Sequence, residues 1–136
     1  MNCPVCQTPL VILELNNVEI DHCTTCDGIW LDGSEVEIML ENVIYKEEFF
    51  SSFKIVKNSS EKKLKCPICR RKMAKVLCGK NENILIDKCK KHHGLWFDRG
   101  ELEQLLESGE FDKDNKILNL IKEMFEHKLK LNRPGE

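Results

Sequence analysis

With 136 residues, eight cysteines and a formal net charge of −2, the chain has the length of one ordinary domain but the cysteine spacing of two small ones. Units of about half that length bury little apolar surface, so the cysteines are the expected supplement to their cores. No apolar run reaches the roughly 18 residues of a membrane span, and the Met1-Asn2-Cys3-Pro4 start lacks the features of a secretory leader, so a soluble cytoplasmic protein with reduced thiols and no membrane partner is expected.

In chain order, Leu10 to Leu15 and Val18 to Asp21 are rich in aliphatic and β-branched residues and flank Asn16-Asn17, which predicts a β-hairpin. A short third strand is expected at Ile29 to Leu31. Asp32 followed three residues later by Glu35 then marks a capped helix start. That helix sets Val36, Met39, Leu40, Val43, Phe50 and Phe53 near helical spacing and ends before Asn58-Ser59-Ser60. The same elements are expected again at Met73 to Cys78, Ile84 to Asp87 and Leu95 to Phe97, followed by Asp98 and Glu101 at the start of a helix from about Arg99 to Ser108 that stops at Gly109. A last helix, about Asp114 to Leu131, gathers Ile117, Leu118, Ile121, Met124, Phe125 and Leu129 on one face.

The repetition extends to single residues. Cys3-Pro4-Val5-Cys6 recurs as Cys66-Pro67-Ile68-Cys69 at an offset of 63, and Ile20-Asp21-His22-Cys23 as Ile86-Asp87-Lys88-Cys89 at an offset of 66. The second offset also carries Gly28-Ile29-Trp30-Leu31-Asp32 onto Gly94-Leu95-Trp96-Phe97-Asp98. The three inserted residues fall in the second hairpin turn, Gly79 to Asn83. Residues 1–54 thus read as one unit with its helix, 55–65 as a linker, 66–110 as the second unit and 111–136 as the C-terminal helix and tail.

Two ligands separated by two residues can come from one tight turn, and two such turns make a tetrahedral zinc site. Sixteen residues separate Cys6 from Cys23 and nineteen separate Cys69 from Cys89, both near the spacing of two knuckles joined by a hairpin. Cys3, Cys6, Cys23 and Cys26 are the expected first ligand set. The second is Cys66, Cys69, Cys89 and His92, which occupies the position of Cys26; His93 is its competitor. Disulfides are disfavoured in a leaderless chain, while iron stays open for the first, all-thiolate site. Cys78 lacks a counterpart in the first copy and reads as a strand residue; Trp30 and Trp96 read as packing across the hairpins, and His22 and His127 as surface residues.

The pattern Cys-Pro-x-Cys, then Ile-Asp-x-Cys-x-x-Cys/His-x-Gly-x-Trp-x-Asp-x-x-Glu, resembles the transcription-factor-IIB-type zinc-ribbon family of short prokaryotic zinc-finger domains, over residues 3 to 40 and 66 to 106. The resemblance implies a prokaryotic origin and tandem zinc ribbons. The expected fold is therefore a small, metal-bound α+β protein, each hairpin and third strand followed by a helix, with a C-terminal amphipathic helix and two Zn²⁺ per chain.

Charge separates the copies. Residues 1–60 hold three basic side chains against ten acidic ones, whereas residues 65–99 hold ten basic against three acidic. Arg70, Arg71, Lys72, Lys75, Lys88, Lys90 and Lys91 should gather near one end of the second ribbon, the footprint of a nucleic-acid contact. A protein partner, met through Phe49, Phe50, Phe53 or the last helix, is the alternative. With each zinc held by four protein ligands and no nucleophile–base pair or phosphate loop in the chain, neither an enzyme nor a small-molecule substrate is expected.

Overall fold

A computed structural model describes residues 1–15, 18–35, 53–57, 62–78 and 84–107. The first ribbon contributes β1 (Val11–Leu15), β2 (Val18–His22) and β3 (Ile29–Asp32). A two-residue strand, β4 (Lys54–Ile55), precedes β5 (Ala74–Cys78), β6 (Ile84–Lys88) and β7 (Gly94–Phe97) of the second. The helix α1 (Glu101–Glu107) closes the described chain. Residues 33–35 are helical, but the remainder of the expected first helix, both hairpin turns and the C-terminal helix lie outside the described residues.

The two ribbons join into a single antiparallel sheet ordered β1-β2-β3-β7-β6-β5-β4. The junction is β3 against β7, with Ile29 opposite Phe97, Trp30 opposite Trp96, and Leu31 opposite Leu95. Since Trp96 is the repeat equivalent of Trp30, the two copies meet about a local pseudo-twofold axis through that pair. The Ile29–Phe97 and Leu31–Leu95 pairs are then one contact seen from each side.

Side chains alternate across a strand, so β3 and β7 divide their residues between two faces. Ile29, Leu31, Leu95 and Phe97 join Val18, Ile20, Val76, Ile84 and Ile86 on one face, where Leu102 and Leu105 of α1 complete an aliphatic core and Phe53 packs at its margin. Trp30 and Trp96 join Cys3, Cys23, Cys66, Cys89 and Met73 on the other. A row of side chains follows the register across this second face: Ile12, Asp21, Trp30, Trp96, Asp87, Lys75.

Three local details differ from expectation. Phe53 leads into a strand rather than ending a helix, and β4 straddles the expected boundary between residues 54 and 55, pairing with β5 through Lys54 opposite Leu77 and Ile55 opposite Val76. At the second helix, Glu101 Oε1 accepts the Asp98 N–H at 2.7 Å, the return half of a capping box. At the first, Glu35 Oε2 instead accepts the N–H of Glu19 in β2 at 2.9 Å, tying the helix start to the sheet. Each aspartate directs its Oδ1 to a tryptophan: Asp32 accepts the Trp30 indole N–H at 2.6 Å and Asp98 accepts that of Trp96 at 2.9 Å. A buried indole N–H needs such an acceptor.

Candidate metal centres

Each ligand pair sits on a knuckle closed by its own backbone. In the first, the N–H of Gln7 donates to the Cys3 carbonyl at 2.9 Å and the N–H of Cys3 to Thr8 at 2.7 Å; Arg70, Cys66 and Arg71 repeat the pattern at 2.8 and 2.9 Å. Within the turn, the amides of Val5 and Cys6 each point at Cys3 Sγ from 3.3 Å, and Ile68 and Lys91 donate to Cys66 and Cys89 Sγ at 3.4 Å. Donors aimed at sulfur favour the thiolate, the form that binds a metal.

Two sets of four side chains converge, Cys3, Cys6, Cys23 and Cys26, and Cys66, Cys69, Cys89 and His93, with ligand atoms within 4.8 Å of one another in each set. The spacings fit tetrahedral zinc. Bond lengths of about 2.3 Å to sulfur and 2.0–2.1 Å to nitrogen give edges of about 3.8 Å between sulfurs and about 3.5 Å from sulfur to nitrogen. Cys3 and Cys26 Sγ are 3.7 Å apart, Cys69 and Cys89 Sγ 3.8 Å, and His93 Nδ1 lies 3.4 Å from Cys89 Sγ and 3.9 Å from Cys66 Sγ.

The fourth ligand of the second set is therefore His93, not His92. Gln7, Asp27 and Arg70 all have positive φ, each four residues after the first cysteine of its knuckle; in the fourth knuckle the positive φ falls at His92, only three residues after Cys89. The chain turns one residue early, and the next side chain enters the site. Nδ1 lies one bond further from the backbone than Sγ does, so an imidazole must approach from a more retracted position than a cysteine. His92 is exposed, with Nδ1 3.2 Å from Lys88 Nζ.

The thiols of each metal-free cluster cannot all ionise together. Burial pushes Cys26 and Cys66 up to about 11. Burial acts on Cys23 too, but the amides of Cys26 and Thr25 and the Thr8 hydroxyl outweigh it and hold the group at about 6. The Arg71 amide is the main cause that brings Cys69 down to about 6, against a smaller effect of burial. Metal binding must therefore displace protons from the remaining thiols.

The centres are coupled through the junction. A Cβ on Gly28 would collide with the Trp96 ring, and one on Gly94 with the Trp30 ring and the Leu31 carbonyl, so the knuckle of each site is packed by the other ribbon's tryptophan. Gly33 N–H of the first ribbon also donates to the His93 carbonyl at 2.9 Å. The tryptophans thus pack across the ribbon junction as well as within the sheet.

The family profile described as Transcription factor zinc-finger matches residues 2–42 and 65–108, more than half the chain and one match per ribbon. The chain belongs to that family. Its two ligand sets are zinc sites. No curated protein and no solved structure gave a significant match.

The basic residues divide. Arg70, Arg71, Lys72, Lys90 and Lys91 are exposed and Lys88 is half-buried. Lys75 is buried, its Nζ 2.8 Å from Asp87 Oδ1, and cannot reach a ligand on the surface. His22 is likewise buried rather than on the surface, its Nε2 3.2 Å from Asp27 Oδ1 beside the second knuckle of the first site. Three cations of the expected linker, residues 55–65, join the basic surface. The Lys65–Lys72 bridge, with Met73 N–H donating to the Leu64 carbonyl at 2.8 Å, sets Lys65 opposite Lys72, and Lys62, Lys63 and Lys65 line a groove together with Arg70. Only the high lysine content of residues 62–65 could have pointed to them. Cys78 lies in β5, and His127 falls outside the described residues.

Proposed function

We propose that this chain is a non-enzymatic, nucleic-acid-associated protein in which both zinc ions are structural. The observation that carries the proposal is a cluster of exposed cations beside the second ribbon: Lys62, Lys63, Lys65 and Arg70 line one groove, Lys72 stands opposite Lys65, and neither these five nor Arg71 has a carboxylate partner among the described residues. Cations on a shared surface bind phosphates and release counterions. With four protein ligands apiece, the metal sites leave no coordination position for a reacting water. Two zinc ions and seven thiolates add about three negative charges to the formal −2, so contact is confined to the basic surface instead of engaging the whole protein. Fluorescence anisotropy with labelled DNA and RNA at low salt tests the reading, which fails if neither is bound.

A protein adaptor is the second reading. Val5 and Ile68, equivalent residues at the tips of two knuckles, are 48% and 46% exposed. If they form a self-association surface, Val5→Ser/Ile68→Ser lowers the mass in solution; a wild-type monomer at both low and high salt opposes this reading.

A further inference from the structure

Between the Cys3 and Cys66 knuckles runs a groove of about 390 Å³ whose charged walls are Lys62, Lys63, Lys65 and Arg70. No acidic side chain lines it, and none of the four cations has an ion-pair partner among the described residues. Pro4, Pro67 and Leu64 supply apolar surface, and the Asn2 amide adds a polar group. Both ribbons contribute, so the groove exists only because the copies share one sheet.

Cys3 and Cys66 also line the groove, which places the loaded metal sites behind it. A four-thiolate zinc carries about two negative charges and a three-thiolate, one-imidazole zinc about one. Four cations exceed that total, leaving an attraction for an external anion. With no aromatic platform for base stacking, the cations can follow a backbone but have little with which to read sequence. The volume is that of a narrow cleft, near the lower end of the about 300–1,000 Å³ typical of ligand pockets, which suits one extended strand better than a duplex.

We propose that this groove binds the sugar–phosphate backbone of single-stranded nucleic acid, with Lys62, Lys63, Lys65 and Arg70 meeting successive phosphates. This deepens the nucleic-acid reading and rests on it. Four contacts to a single strand give a slope of about −2.8 for log Kobs against log salt, or roughly 50-fold weaker binding between 50 and 200 mM.

The test uses the zinc-loaded full chain, a fluorescent oligothymidylate of about ten nucleotides, the corresponding duplex and a glutamate oligomer. Lys62→Gln/Lys63→Gln/Lys65→Gln should retain two zinc ions per chain and flatten the slope by about 2.1, while Lys90→Gln/Lys91→Gln, outside the groove, should leave it unchanged. No oligonucleotide binding by the wild type overturns both the groove and the broader functional reading. Wild-type binding that the triple variant leaves intact, or that only the Lys90/Lys91 variant weakens, overturns the groove alone. Equal or tighter binding of duplex overturns the single-strand assignment, and tighter binding of the glutamate oligomer assigns the groove to an acidic protein instead. If the triple variant loses zinc, Lys62→Gln/Lys63→Gln serves in its place, with an expected slope change of about 1.4.

Discussion

Replacing Trp96 by alanine should weaken the first zinc site although Trp96 belongs to the second ribbon. Its side chain is fully buried and packs against Gly28, which follows the second knuckle of the first site. Burial of roughly 200 Å² at about 25 cal/mol per Å² would stabilise the fold by ~5 kcal/mol. Residual burial in the unfolded chain lowers this, and aromatic-to-alanine changes in cores cost about 3–5 kcal/mol. Because metal binding and ribbon folding are linked, a loss of about 4 kcal/mol divided equally between the sites makes zinc binding roughly 30-fold weaker at each. Cadmium substitution with NMR detection distinguishes the four-sulfur site from the three-sulfur, one-nitrogen site, and chelator titration then measures retention at each. The reasoning is refuted if Trp96→Ala leaves the first site at wild-type affinity while weakening only the second.

Two further substitutions test individual assignments. His93→Ala should reduce tightly held zinc from two ions per chain to one, measured by elemental analysis, whereas His92→Ala should retain both; the reverse result would restore His92 as the ligand. Lys75→Met should cost about 3–5 kcal/mol in chemical denaturation because it leaves Asp87 buried without its cation, whereas Lys75→Met/Asp87→Leu should recover most of that loss. A double variant no more stable than Lys75→Met would show that the unpaired Asp87 is not the cause.

Strand positions were legible because each segment is rich in aliphatic and β-branched residues and flanks a turn, and the cysteine pairs marked the knuckles. The β3–β7 junction was not, since Trp30 and Trp96 show the same local pattern whether they pack within one ribbon or across two. His93 was missed because alignment by residue position equates His92 with Cys26 and takes no account of the longer reach of an imidazole. Lys75 resembled its exposed neighbours, and only its register opposite Asp87 shows it to be a buried counterion. His22 was hidden for a similar reason, its partner Asp27 being brought to it by the turn of the first ribbon's second knuckle.

The two copies also reveal what the segment between them contributes. In the first ribbon, Ile12 stands opposite Asp21 and is 65% exposed; the Asp21 carboxyl is pushed up to about 6, chiefly by burial and then by Asp32. In the second ribbon, Lys75 stands opposite Asp87 and is only 3% exposed. The difference follows from β4: Val56, immediately after that strand, donates its N–H to the Lys75 carbonyl at 2.8 Å, while β1 is the terminal strand at the opposite edge. Val56→Pro would remove that donor and disturb the edge strand that flanks the Lys75–Asp87 pair. A loss of about 1–3 kcal/mol is expected for the unpaired carbonyl, seen as a lower denaturation midpoint in the zinc-loaded protein. In the Lys75→Met/Asp87→Leu background the proline should cost less, because no buried charge remains to be exposed to an imperfectly closed edge. An equal cost in both backgrounds would mean that β4 supports the sheet edge without protecting the ion pair.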